Sequence, residues 1–304
     1  MTPAARLCAV TSRRLETAQA FADEHGAERA FDNVNDMIAW DGIDAVYIAI
    51  PTSLREDVAV AAATAGKHVL VEKPFVSLES LKRITAACSD NGVAFMDATH
   101  FVHHPRYAVI QKDIDDTVGQ PRSLKTRFEI GLNDPENIRY NPALEPLGAP
   151  GDLGWYSMRA TVEYLVPGVS LTSAQTRLER DAETRAIIAA EGSLTFDDES
   201  VSNWQCRFDA SSVDISAELT GPLGVLRMNN FIGENEDHTA EYSVGDSSSD
   251  ERQVRIASER SGPALMFEEF AMAVADASLR KHWMRSSERT QALLDAALAA
   301  VERS

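Results

Sequence analysis

The sequence predicts an α/β half built on a parallel sheet, followed by an α+β half built on a mainly antiparallel sheet. Up to residue 105, continuous apolar runs of strand length alternate with helical patterns. Such runs mark strands buried on both faces and joined by crossover helices. Beyond residue 105, short runs of alternating polarity lie between turn residues, as in an antiparallel sheet with one covered face. The chain has 304 residues, room for two domains of about 150 each, and the expected division is 1–105 and 106–304.

In the first half, Arg6–Thr11 reads as a strand and Leu15–His25 as a helix. Ala45–Ile50 is an apolar strand, followed by a helix to Ala65. His68–Val71 is the next strand, Leu78–Ser89 a helix and Val93–Ala98 a further strand. In the second half, Gly151–Val166 is a helix candidate. Strands are expected over Ser170–Leu178, Ser193–Phe196, Val201–Phe208, Val213–Leu219, Val225–Phe231, Thr239–Val244 and Gln253–Ala257. Two helices close the chain, Ala264–Ala277 and Glu288–Val301. The second carries an apolar stripe of Ala292, Leu293, Ala296, Ala299 and Ala300.

Composition narrows the function. Lys and Arg total 29 against 47 Asp and Glu, a net charge of −18, while 44% of residues are hydrophobic. That acidic balance repels a phosphate backbone or an anionic membrane, so neither nucleic acid nor membrane is an expected partner. No run of 18 apolar residues and no basic leader followed by an apolar stretch is present. Cys8, Cys88 and Cys206 are odd in number and widely spaced, which suits a reduced, cytoplasmic chain. No internal repeat stands out, and the acidic-serine stretch Gly245–Glu251 is the longest biased tract.

Three segments carry chemistry. Val10-Thr11-Ser12-Arg13-Arg14 ends a strand where dinucleotide folds place an acid for the ribose 2′-hydroxyl. A serine and two arginines stand there instead, which points to a 2′-phosphate and hence to NADP rather than NAD. The plainer reading is a basic helix start at the surface. In His68-Val69-Leu70-Val71-Glu72-Lys73-Pro74, Lys73 sits at the C-terminal end of a buried strand, where parallel sheets bind ligands. The plainer reading is an exposed lysine paired with Glu72. In Gly148–Tyr156, Asp152 and Tyr156 are four apart on one helical face. The plainer reading there is an N-cap and an amphipathic tyrosine.

These segments together with Ile50-Pro51-Thr52-Ser53-Leu54 and Phe95-Met96-Asp97-Ala98-Thr99 keep the order and spacing of one family. The chain resembles the Gfo/Idh/MocA NAD(P)-dependent oxidoreductases, in the GDxGxY form seen in glucose-fructose oxidoreductase and dimeric dihydrodiol dehydrogenase. The resemblance implies a Rossmann-like first domain and a second domain for substrate binding and oligomerisation. It implies hydride transfer between NADP and a sugar, polyol or cyclic diol, with Lys73, Asp152 and Tyr156 catalytic. Ser12, Arg13, Pro51, Thr52, Leu54, Glu72 and Lys73 are then cofactor contacts, and Thr99, His100, His103 and Arg139 substrate contacts. An alcohol that loses hydride must also lose a proton, and Lys73 is expected to favour the Tyr156 phenolate.

The chain departs from the family pattern twice. Arg55 stands where the family commonly has His, which suggests altered cofactor contacts or an added anion-binding group. No glycine precedes Gly26, so the GxGxxG turn that cradles pyrophosphate is absent from these residues. The expectation is that about 25 further residues, carrying a strand and that turn, belong upstream of Met1. His100, His103 and His104 have a spacing that can hold metal on a helix, but Pro105 breaks the helix and no metal is expected. Alternate apolar residues such as Trp204, Cys206 and Phe208 suggest a sheet face buried by a second subunit, hence a homodimer or larger oligomer. Two other functions stay open. One is a non-catalytic dinucleotide-fold binding or scaffold protein that has lost its phosphate loop. The other is a redox-assisted glycosidase or lyase.

Overall fold

The computed structural model describes residues 4–132, 134–165, 168–246 and 251–301. The first half runs β1 (Ala9–Thr11), α1 (Leu15–His25), β2 (Arg29–Phe31), α2 (Val34–Ile38), β3 (Ala45–Ile48), α3 (Arg55–Thr64), β4 (His68–Val71), α4 (Leu78–Asp90) and β5 (Phe95–Asp97). The second runs α5 (Arg106–Asp113), β6 (Ser123–Gly131), α6 (Trp155–Ala160), β7 (Leu171–Arg180), β8 (Ile187–Phe196) and β9 (Val201–Arg207). It continues through β10 (Asp209–Asp214), β11 (Ala217–Thr220), β12 (Gly224–Met228), β13 (Ala240–Asp246) and β14 (Arg252–Ile256), and ends with α7 (Gly262–Ala275) and α8 (Ala277–Ala299).

Every strand pair of the first half is parallel, as the buried apolar runs require. β1 pairs with β2, and β3, β4 and β5 form a second sheet. Val69, Leu70, Val71, Phe95 and Met96 are fully buried because helices cover both faces. The second half holds a nine-stranded sheet in the order β14-β13-β12-β11-β6-β9-β8-β7, with β10 beside β6. It is antiparallel except where β6 runs parallel to β9.

Several expected boundaries are corrected. The first strand starts at Ala9, because Arg6 and Leu7 lie outside the ladder. β2 and α2 are too short for a periodicity to show. β6 escaped the sequence reading, although its alternation of Leu124, Thr126 and Phe128 with Lys125 and Arg127 is the period of a half-buried strand. β8 begins six residues before the expected Ser193. Val213–Leu219 divides into β10 and β11, since the register against β6 slips between Asp209 and Asp214. Gly151–Val166 divides into a π-helical turn over Pro150–Gly154, then α6, then a π-helical turn over Thr161–Leu165, and Val166 lies outside the described residues.

The last helix starts at Ala277 rather than Glu288. Asp276 accepts hydrogen bonds from the amides of Ser278 and Leu279, which fixes that N-terminus. α8 then crosses back onto the first half. Thr85 donates to Glu288, Gln291 accepts from the Phe75 amide and Asp295 from the Leu78 amide. At the junction, Arg159 of α6 and Asp97 of β5 form an ion pair with both side chains essentially inaccessible, and Ser287 of α8 donates to the same carboxylate. The helix therefore clamps the segment that follows Lys73.

Trp204, Cys206 and Phe208 lie on the covered face of the large sheet, buried by the chain itself. Contrary to expectation, these three side chains need no second subunit to cover them. The opposite face exposes a mixed polar row of Lys125, Asn203, Ser193 and Gln175.

Candidate active site

The C-terminal ends of β4 and β5 carry Lys73 and the Thr99–His100 segment. Across from them stands the π-helical turn Pro150–Gly154, which delivers Asp152, followed by Tyr156 on the first turn of α6. Gly151 makes this approach possible. A Cβ there would stand 2.6 Å from the Leu147 Cβ and 3.0 Å from the Pro74 Cγ. The Lys73–Pro74 peptide bond is cis.

The Lys73 ammonium donates to the Asp152 carbonyl at 2.6 Å and to the Asp152 carboxylate at 2.8 Å. The other carboxylate oxygen accepts from the Nε of Arg139, on the one-turn helix Ile138–Tyr140. Asp152 is thus neither an N-cap nor a partner of Tyr156. Glu72 makes no direct bond to Lys73; it accepts the Tyr47 hydroxyl at 2.5 Å. Burial alone would lift Asp152, but Lys73 and Arg139 together hold it down to about 2. Burial alone would lower Lys73, but Asp152 and the neighbouring Tyr156 raise it above the ordinary lysine value.

Tyr156 lies under this pair, with the Lys73 ammonium 4.7 Å from its ring centroid, a cation–π contact on the ring face. The ammonium favours the phenolate, as expected of it, but burial acts the other way. Burial raises the tyrosine above its ordinary value and outweighs the lowering by Lys73, whose charge is already shared with Asp152. Tyr156 stays a phenol at neutral pH. Its ring meets His100 edge-on at 5.8 Å. His100 is pushed down to about 4, by burial first and then by Lys73, so its imidazole is neutral.

The remaining expected residues divide. Ser12 is half-buried, and Arg13 and Arg14 are exposed at the end of β1; among the described residues neither arginine has an ion-pair or side-chain hydrogen-bond partner. Pro51 is half-buried and Leu54 exposed, whereas Thr52 is buried with both its amide and its hydroxyl donating to Glu145. Thr99 is buried too; its hydroxyl donates to Asp97 and accepts from the Trp155 indole. His103 is withdrawn from the cluster, bonded to Glu269 at 2.8 Å and packed at a tilt against the Trp283 ring. Arg55 is buried. Its guanidinium donates to the carbonyls of Ile50 and Pro74 and ties the loop after β3 to the loop after β4. His103 and His104 have separate partners, and among the described residues no His, Cys, Asp and Glu trio is grouped for a metal. Glu145 and the Asp97–Arg159 pair were missed in the sequence, because single acidic and basic residues far apart carry no spacing signal.

The unpartnered Arg13 and Arg14 beside Ser12 offer the donor set that a ribose 2′-phosphate requires, so this end of the fold fits NADP. A parallel-sheet domain of dinucleotide type, joined to a large antiparallel sheet with a lysine, an aspartate and a tyrosine where the two meet, defines a two-domain oxidoreductase. Residues 1–99 match the family described as the oxidoreductase family with an NAD-binding Rossmann fold. That match covers the first third of the chain, the parallel-sheet half. It is 25% identical over 306 residues to a dTDP-3,4-didehydro-2,6-dideoxy-alpha-D-glucose 3-reductase of Actinomadura kijaniata, covering 97% of this chain and 87% of that one. It is 32% identical over 205 residues to D-xylose 1-dehydrogenase (NADP(+)) 2 of Haloferax volcanii, covering 66% of this chain and 61% of that one. The fold matches a 3-ketoreductase of Actinomadura kijaniata crystallised with NADP and TDP-benzene. That match has a TM-score of 0.90 at 24% identity over 99% of this chain and 91% of that one.

Proposed function

We propose that this protein transfers a hydride between NADP and the hydroxyl-bearing or keto carbon of a sugar, polyol or cyclic diol. The convergence of Lys73, Asp152, Tyr156 and His100 beyond β4 and β5 is the observation that carries this reading. The deoxysugar 3-reductase and the NADP(+) D-xylose dehydrogenase among its relatives support it. Ser12 and Arg13, with Arg14 beside them, hold the 2′-phosphate; Pro51, Leu54, Glu72 and Lys73 line the way to the reacting end. When bound, NADP supplies or accepts the hydride.

The chain's own groups do the rest. Two of the three N–H donors of Lys73 are used on Asp152, which leaves one for a substrate oxygen. Asp152 fixes the direction of that donor. The Tyr156 phenol donates a second hydrogen bond to the same oxygen, so charge developing there is stabilised from two sides. Arg139 keeps its terminal guanidinium nitrogens for substrate hydroxyls at the half-exposed edge. Thr99 and His103 act behind this surface, by fixing Trp155 and α7. The test is nicotinamide reduction or oxidation with a panel of aldoses, inositols, cyclic diols and nucleotide-linked keto-sugars. Turnover with none of them would reject the reading.

A scaffold role has one observation in its favour, the saturation of Thr52 by Glu145 at a position expected to meet the cofactor. Absence of NADP(H) binding in a fluorescence titration would select it. The reading includes self-association through the open polar face of the large sheet, where Lys125, Arg127 and Arg177 stand among Glu191 and Glu129, charges that can pair across two copies. Light scattering that gives a monomer mass at micromolar concentration would contradict it. It also includes a reducing, cytoplasmic setting, which the three free cysteines suit. Among the described residues no helix is long and apolar enough to cross a membrane.

A further inference from the structure

We infer that the substrate carries an oxyanion, a carboxylate or a phosphate, and that Arg139 holds it near the reacting carbon. The inference rests on the oxidoreductase reading and specifies which of the substrate's oxygens Arg139 meets. It comes from the balance of free donors and acceptors where the two halves of the chain meet. Each hydroxyl of a neutral sugar has a proton to donate, so a site that reads hydroxyls needs free acceptors. A carboxylate or phosphate only accepts, so a site that reads one needs free donors and positive charge.

The carboxylates around Lys73 are engaged. Asp152 gives one oxygen to Lys73 and the other to Arg139. Glu72 accepts the Tyr47 hydroxyl, and Glu145 accepts both the amide and the hydroxyl of Thr52. Asp97 is enclosed by Thr99, Arg159 and Ser287, and Glu234 caps the Gly262 amide. The donors are open. One N–H of Lys73 and, among the described residues, the Tyr156 hydroxyl and both terminal nitrogens of Arg139 have no hydrogen-bond partner. Beside these, the neutral His100 imidazole adds one donor and one acceptor. Lys73 and Arg139 also share a single carboxylate, which leaves positive charge here in a chain of net charge −18. The Arg55 charge is directed elsewhere, onto the carbonyls of Ile50 and Pro74 and toward Glu145 and Glu72.

Arg139 is placed for this contact. Its side chain is 40% accessible, against 21% for Asp152 and 8% for Lys73, so it is the outermost of the three. Its short turn is pinned on both sides. The Arg139 amide donates to the Asn137 side chain at 3.1 Å, and the Tyr140 hydroxyl donates to the Leu132 carbonyl at 2.7 Å. With Nε fixed on Asp152, the planar fork of terminal nitrogens is already oriented and needs little further ordering to grip two oxygens of one anion. Asp152 stands between the two cations. The oxyanion on Arg139 and the reacting oxygen on Lys73 therefore belong to one small molecule, and a sugar acid or a sugar phosphate has both groups.

The test is a set of matched substrates on the full chain with NADP: glucose, glucuronate and glucose 6-phosphate, then galactose, galacturonate and galactose 6-phosphate. In at least one set an acidic member should exceed its neutral partner in kcat/KM by about tenfold or more, mostly through KM. Preference for the uronates identifies a carboxylate, and preference for the phosphates identifies a phosphate. The KM of the preferred acid should rise several-fold between about 20 and about 300 mM NaCl, while that of its neutral partner stays level. R139Q should abolish the preference, and R139K, which keeps the charge without the fork, should retain part of it. The ratio of acid to neutral sugar is the readout, because the loss of Arg139 from Asp152 acts on both. Should R139Q fail to fold by circular dichroism, the matched sets and the salt dependence decide on the parent alone. Neutral sugars turned over as well as their acidic partners, or a preference unchanged in folded R139Q, would overturn the inference and leave the oxidoreductase reading standing. Turnover of no sugar, acidic or neutral, would overturn that reading and this inference with it.

Discussion

Asp152 holds the Lys73 ammonium at two points, through its carbonyl at 2.6 Å and its carboxylate at 2.8 Å, and so fixes where the remaining N–H of the lysine points. Breaking a mostly buried pair strands the surviving charge, at a cost of about 3–5 kcal/mol. D152N should lower the urea midpoint while leaving the dependence on denaturant unchanged, and D152N turnover should fall with it. A stability equal to that of the parent would mean that Lys73 is solvated.

The same pair sets an acid limit. Asp152 is held near 2, below its unfolded value, so its contribution is complete above about pH 4 and is lost as the pH falls through 2. His100 is held near 4, below its unfolded value of about 6.5, so the folded state also loses stability between pH 6.5 and 4. Denaturation midpoints measured from pH 7 to 3 should fall in both windows. H100N should flatten the upper window alone.

Arg13 decides between cofactors. R13D should weaken NADP(H) binding at least tenfold more than NAD(H) binding, since a charge-assisted bond to phosphate is worth about 1.5–3 kcal/mol. Fluorescence titration of the parent giving tighter binding of NAD(H) than of NADP(H) would contradict the assignment.

K73A and Y156F should each lower kcat by about 10²–10⁴-fold, the range of a positioned hydrogen-bonding or acid–base group. Circular dichroism and a thermal melt would establish that each variant is folded. Turnover near the parent level in both would remove them from the reaction.

Arg159 lies in the junction of α6, β5 and α8, with its guanidinium shared by Asp97, Glu163 and Ser286. R159A leaves the Asp97 carboxylate buried and unpaired, at a cost of about 3–5 kcal/mol. R159M with D97L replaces both charges by apolar side chains and should recover much of that loss. Urea unfolding of the two variants measures the difference.

The local sequence determined the alternation of strands and helices in the first half, because Ala45–Ile48 and His68–Val71 are apolar runs that no solvated element tolerates. It also determined the motif around Gly151 and Asp152, since a turn that passes this close to Pro74 admits no side chain. Tertiary structure alone decided which of these residues meet. Lys73 and Asp152 are 79 positions apart, and only the packing of the π-helical turn on the loop after β4 joins them. The same packing spends Thr99, His103, Thr52 and Arg55 on internal partners and leaves His100 without one. A side chain's neighbours, and therefore its burial, charge and protonation, are set by contacts distant in the chain, which no short-range pattern encodes.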